Sequence, residues 1–114
     1  MSIGERIEAA VKPIVEICVP NLYGGNALEY CVYNYTEMPD LIGDDEPEVI
    51  RCSVQVHWMF PWEPGISEQA EIRTKKRRLR SALAAAGMTW PTVTPAGDQE
   101  FEHFVFEGEM LAEV

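Results

Sequence analysis

The sequence predicts an α+β fold: a mixed, mainly antiparallel β-sheet with two helices packed on it, in the order α-β-β-β-α-β-β. Three observations carry this reading. The stretch "VIRCSVQVHWMF" alternates strictly, with Ile50, Cys52, Val54, Val56, Trp58 and Phe60 on one side and Arg51, Ser53, Gln55, His57 and Met59 on the other, the period of two that a strand requires. Two other stretches repeat apolar residues at helical spacing behind N-terminal signals. Proline and glycine punctuate the remaining apolar runs, so strands adjoin in sequence. Adjoining strands favour antiparallel pairing, and two helices can cover one sheet face. With 114 residues, the chain reads as one domain over 1–114, large enough for a core of its own.

The elements follow in order. Ser2-Ile3-Gly4-Glu5 is a capping box, and Ile3, Ile7, Ala10 and Val11 share one helical face behind it. This predicts a helix over Ile3–Lys12, limited by Pro13. "PIVEICV" is rich in β-formers and predicts a strand over Ile14–Val19. Pro20 and Gly24-Gly25 mark a loop. "LEYCVYNYTE" (Leu28–Glu37) predicts the second strand. "MPDLIGDDEPE" is an acidic, proline-bearing excursion before the long alternating strand. Ser67 is the expected N-cap of the second helix, with Glu68 and Glu71 in its first turn. That helix runs to Ala86 and stops at Gly87. Ile72, Leu79, Leu83 and Ala86 form its apolar stripe. A short extended piece over Met88–Val93 and a last strand, "EFEHFVFEGEML", complete the chain.

Charge is unevenly spread. The chain carries nine Lys and Arg against nineteen Asp and Glu, a net of −10. Six of the nine cations lie in "RTKKRRLR" (73–80). The Ser67–Ala86 segment is therefore net +4 and the remainder net −14. At helical spacing Arg73, Lys76, Arg77 and Arg80 flank one side of the apolar stripe, and Lys75 and Arg78 fall on the other. A ridge of this kind is a solvated face, a docking face for protein, or a nucleic-acid contact. The protein reading, above all another copy of the chain, fits best. The acidic balance opposes DNA and anionic lipid, and no aromatic residue interrupts the run. Unlike electrical sides let one copy meet the next. Asp44, Asp45, Glu46 and Glu48 of the acidic loop, with Asp40, are the candidate partners of the ridge.

Other candidate chemistry is sparse. His57 and His103 sit on strands with no second His, Cys or carboxylate at ligand spacing. They read as ordinary strand residues, and adjacency across the sheet is left open. Cys18, Cys31 and Cys52, odd in number and without CxxC spacing, read as buried reduced thiols. The acidic loop lacks calcium-loop spacing, and Gly24-Gly25 matches no phosphate loop. The expectation is no catalytic residue, no metal and no cofactor. No apolar run is long enough to span a membrane, and "MSIGERIEAA" does not read as a secretory signal.

In their order, these elements resemble the small tail-terminator, or tail-completion, proteins of long-tailed bacteriophages and prophages. The resemblance covers Ser2 to about Met110. It rests on the N-terminal helix, "LEYCVYNYTE", an acidic loop ending "DDEPEV", "CSVQVHWMFP", the basic helix running into "LRSALAAAGMTWPTVT", and a closing "HFVFEGEM". It implies a mixed α/β sandwich acting as a structural virion protein, with no catalysis. Six copies would form a ring at the head-proximal end of the tail tube, ending tube polymerisation and joining tail to head. The implied partners are the chain itself, the tail tube protein and head-tail connector proteins. DNA would pass through the channel without specific binding. The implied location is the virion tail or neck, and the host cytoplasm during assembly. Two alternatives stand beside it: another head-tail connector or neck component, and a nucleic-acid-binding module using the basic helix 73–80.

Overall fold

A computed structural model describes residues 1–38, 49–98 and 100–113. The elements are α1 (Ile3–Val11), β1 (Cys18–Pro20), β2 (Tyr30–Met38), β3 (Val49–Pro61), α2 (Ala70–Ala85), β4 (Thr92–Pro95) and β5 (Phe101–Glu113), with a short 3-10 turn at Ile66–Glu68. The fold is α+β in the expected order. The five strands form one sheet, β1-β2-β3-β5-β4. β3 lies at its centre, paired antiparallel with β2 on one side and with β5 along its full length on the other.

The core occupies one face of this sheet. Cys31 and Tyr33 of β2, Cys52 to Phe60 at every second position of β3, and Phe104, Phe106 and Met110 of β5 meet Ile3, Ile7 and Val11 of α1 and Ile72, Leu79 and Leu83 of α2. The alternation read from β3 thus becomes the wall of the core. Trp58 is fully buried, and its indole Nε1–H donates to Glu29 Oε2 at 3.0 Å. Lys75 reaches the same carboxylate at 2.8 Å, so the buried indole and the cation share one acceptor group. Gly108, on the core face of β5, lets the chain after α2 approach closely. A Cβ there would lie 2.6 Å from Met88 Cγ and 2.9 Å from the Thr89 carbonyl oxygen.

The capping box of α1 is present in both directions: Ser2 Oγ accepts from the Glu5 N–H, and the Ser2 N–H donates to Glu5 Oε1. Arg6, on the opposite side of that turn, holds the far end of α2. Its Nε and Nη2 donate to the Ala86 carbonyl at 3.1 and 2.7 Å, and Nη1 donates to the Leu111 carbonyl at 2.7 Å. Ala86 is the C-cap of α2, where helix carbonyls lack intrahelical partners. Gly87 follows at φ +109°, the left-handed stop expected there.

Four local expectations are corrected. The strand expected over Ile14–Val19 is only Cys18–Pro20. Residues 12–16 instead continue α1 as turns, with the Val15 N–H bonded to the Val11 carbonyl. Val11 and Val15 are both buried one helical turn apart, so burial outweighs β-propensity. β1 also pairs parallel, not antiparallel, with β2. The return is made by a loop that begins at Asn21 with φ 64° and brings the Tyr23 and Tyr30 rings together, 4.6 Å between centroids and tilted by 35°. Ser67 is not the N-cap of α2: it lies in the 3-10 turn, and Gln69 caps the helix without a side-chain bond. Gln69 is extended there and gives its side-chain amide to Glu63. Finally, the extended piece after α2 is β4 at Thr92–Pro95 rather than Met88–Val93, because Met88 and Pro91 are drawn into the core.

Candidate functional site

The cationic ridge is built by α2. Burial of Ile72, Leu79 and Leu83 fixes the rotation of the helix. That rotation turns Arg73, Lys76, Arg77 and Arg80 toward β4 and β5. There they line a cleft of about 580 Å³ together with Trp90, Val93, Pro95, Phe104, Ser67, Glu68 and Glu102. The four residues grouped by helical spacing are therefore brought together. Lys75 faces the other way, onto Glu29.

The cleft is more than a line of charge. Lys76 Nζ stands 4.7 Å from the centre of the Phe104 ring, and the Arg80 guanidinium 5.0 Å from the centre of Trp90, both within the range of cation–π attraction. Arg80 Nε also donates to the Pro91 carbonyl at 2.8 Å. Its guanidinium is thus pinned in place over the indole, with its remaining N–H groups free of that bond. Trp90 is 62% exposed, an unusual amount of aromatic surface to leave in water. Two carboxylates, Glu68 and Glu102, sit among the lining residues, so four cations and two anions leave a net positive cleft on a net negative chain. Such a site can hold an anionic group against the arginines and a flat or apolar group against the exposed Trp90, while Phe104 stays buried beneath Lys76.

No protein-family model matches the chain, and no curated protein matches it in sequence.

The run 73–80 contains no aromatic, yet tertiary structure sets two beside it. Trp90 lies ten residues beyond Arg80, past the end of α2, and Phe104 comes from β5, so no local spacing joins them to the ridge. The available signal was weak: in the extended piece expected over Met88–Val93, a period of two groups Trp90 with Met88 and does not mark it as exposed. Asp44, Asp45, Glu46 and Glu48, with Asp40, lie outside the described residues.

A second cluster lies on the sheet face opposite the core. His57 Nδ1 and His103 Nε2 are 2.8 Å apart across β3 and β5. The other nitrogen of His57, Nε2, is 3.3 Å from Gln55 Oε1 and 3.4 Å from Asn34 Nδ2. One proton must lie between the two rings, so at least one ring is neutral. Burial lowers the affinity of both rings for a second proton, and for His57 the neighbouring His103 lowers it further. The adjacency left open in the sequence is thus real. Among the described residues no three His, Cys, Asp or Glu side chains gather as a metal-holding group.

The three cysteines are free and buried. Burial raises each thiol above its ordinary range, Cys18 to about 12 and Cys31 further. Thiolate, the reactive form, is therefore suppressed.

Proposed function

We propose that the protein is a structural virion component of the tail-terminator kind, which works by docking copies of itself into a ring at the head-proximal end of a tail tube. The observation that carries this reading is the cleft of Arg73, Lys76, Arg77 and Arg80 beside exposed Trp90. It is a cationic, aromatic docking surface on a chain whose remaining residues are net −14. A closed ring needs two different faces of one subunit to meet. Opposite charge on those faces raises the rate of encounter and fixes register. The α+β architecture, with both helices on one sheet face, is compatible with the sandwich that the resemblance implies. The ring ends tube growth and presents a joining surface to a head-tail connector. DNA passes through it without being gripped.

The test is size-exclusion chromatography with light scattering at low and high salt, with negative-stain imaging of the largest species. The proposal expects a ring-shaped particle of about six subunits that dissociates as salt screens the interface. A monomer at every salt and protein concentration would refute it.

One observation favours a second reading. Cations interleaved in space with an exposed indole form the surface that stacks and neutralises single-stranded nucleic acid. Under that reading the isolated chain binds a single-stranded oligonucleotide with an affinity that falls steeply with salt, and Trp90→Ala weakens binding at every sequence tested.

A further inference from the structure

We infer that His57, His103 and Met59 form a site for a soft transition-metal ion, copper(I), on the sheet face that neither helix covers. The site stands apart from the assembly reading, since none of the three residues lines the cationic cleft. His57 Nδ1 and His103 Nε2 face one another at 2.8 Å. An ion bound to both at about 2.0–2.1 Å needs its two nitrogens roughly 3.0–3.4 Å apart. Both rings are half-buried, and the terminal torsion of histidine is broad, so a small rotation opens the pair that far. The ion takes the place of the proton now held between the rings. Gln55 Oε1 lies 3.3 Å from His57 Nε2 and accepts the N–H there, which leaves Nδ1 bare toward His103. A metal-ligating imidazole needs such an outer acceptor to fix its tautomer and ring plane. His103 frees its Nε2 by carrying its own proton on Nδ1.

Two imidazoles alone make a weak chelate, and the register supplies a third ligand. Met59 is the direct cross-strand partner of His103 and lies two residues along β3 from His57, so all three share one face. Directly opposed residues place their Cβ atoms about 4.5–5.5 Å apart, and successive residues on one strand face about 6.6 Å. The flexible methionine side chain spans either gap. His57 and Met59 line one pocket of about 250 Å³ with Tyr23, Tyr30, Val32 and Asn34, which gives an ion its entry from solvent. The surroundings decide which ion. Val32 and Val105 pair with His57 on either side. Among the described residues no carboxylate or cysteine joins the two histidines as a third member. Two imidazoles and a thioether between apolar walls suit copper(I), whereas zinc favours thiolate, carboxylate or further imidazole, and magnesium and calcium favour oxygen. Glu107 beside His57, and Glu102 and Asp98 beside His103, stand off the pair but add a field that favours a cation.

The test is an oxygen-free titration of the full chain with copper(I), competed against a chromogenic copper(I) chelator. Circular dichroism confirms that each variant is folded. One ion per chain is expected. His57→Gln and His103→Gln, which remove ligands, should each weaken binding by about 100-fold or more, and Gln55→Leu, which removes the outer acceptor, by about tenfold. Met59→Leu should weaken copper(I) by about tenfold and leave zinc(II) unchanged. X-ray absorption at the copper edge should show two nitrogen neighbours and one sulfur, and the sulfur should vanish in Met59→Leu. A spectrum dominated by sulfur would place the ion on Cys18, Cys31 or Cys52 and overturn the site. Undiminished binding by His103→Gln, or no binding by the unmodified chain, would overturn it equally. Zinc(II) held as tightly as copper(I), with Met59→Leu binding both as before, would overturn the choice of copper and the role of Met59.

Discussion

Arg6 offers the sharpest test of how the fold holds its site. Its guanidinium joins α1 to the last carbonyl of α2 through two bonds and to β5 through a third. Arg6→Ala removes all three and leaves the Ala86 carbonyl, partly buried, with only water to replace a charged donor. A bond to a charged group contributes about 1.5–3 kcal/mol. The two bonds to Ala86 share one acceptor and are taken together. The bond to Leu111 is exposed and adds less, and a cation at a helix C-terminus adds about 0.3–1 kcal/mol. The expected loss is about 2–3 kcal/mol. For a chain of this length it lowers Tm by roughly 8–13 °C. Arg6→Lys keeps the charge but cannot bridge Ala86 and Leu111 with a planar fork, so it should recover less than half. The assay is urea and thermal unfolding followed by circular dichroism. A Cβ on Gly87 would collide with Arg6 Nη2. Gly87→Ala should therefore be less damaging in the Arg6→Ala background than alone, a non-additivity that exposes the contact. A Tm change under about 3 °C for Arg6→Ala, or full recovery by Arg6→Lys, would refute the tether.

Three further outcomes follow from the geometry. His57 and His103 bind protons less readily folded than unfolded; stability should be full above the unfolded histidine value near 6.5 and fall as pH drops through the lowered folded values. His103→Gln should flatten that window in urea titrations at pH 3 to 8, without altering the decline below about pH 4.5 where carboxylates such as Glu8 are protonated. Glu29→Ala strands the buried Trp58 indole N–H and should destabilise by about 1–3 kcal/mol. Lys75→Ala removes only a partly exposed pair and should lose about 1 kcal/mol or less. All three thiols should resist a thiol-labelling reagent in the folded protein and react together on unfolding, and labelling of any one before global unfolding would contradict their burial.

The parts of the fold legible in the sequence are those where a local pattern and the tertiary environment agree. The alternation of β3 was visible because one face of that strand is buried and the other is not. The ridge of α2 was visible because its apolar stripe is narrow and its charge dense. Where the two disagreed, the environment decided. Val15 has a strand-former's side chain but is buried through a turn that prolongs α1. Ser67 is a good cap chemically, yet the 3-10 turn moves the start of α2 to Ala70. The cleft was half legible: its cations share one element, while Trp90 and Phe104 arrive from others. The bond between His57 and His103 depends on the register of β3 against β5, and nothing within either strand specifies that register.

The two outermost strands have a consequence for how copies can meet. β1 and β4 are three and four residues long, and each finishes on a proline, Pro20 and Pro95. Proline brings no amide hydrogen to a neighbouring chain, and so short a border gives an incoming strand little to zip onto. Joining sheet to sheet along these borders, the route by which β-proteins run on into fibres, is thereby discouraged. Growth by stacking is blunted at both margins, and encounters between molecules are steered toward side-chain surfaces whose number of partners is finite.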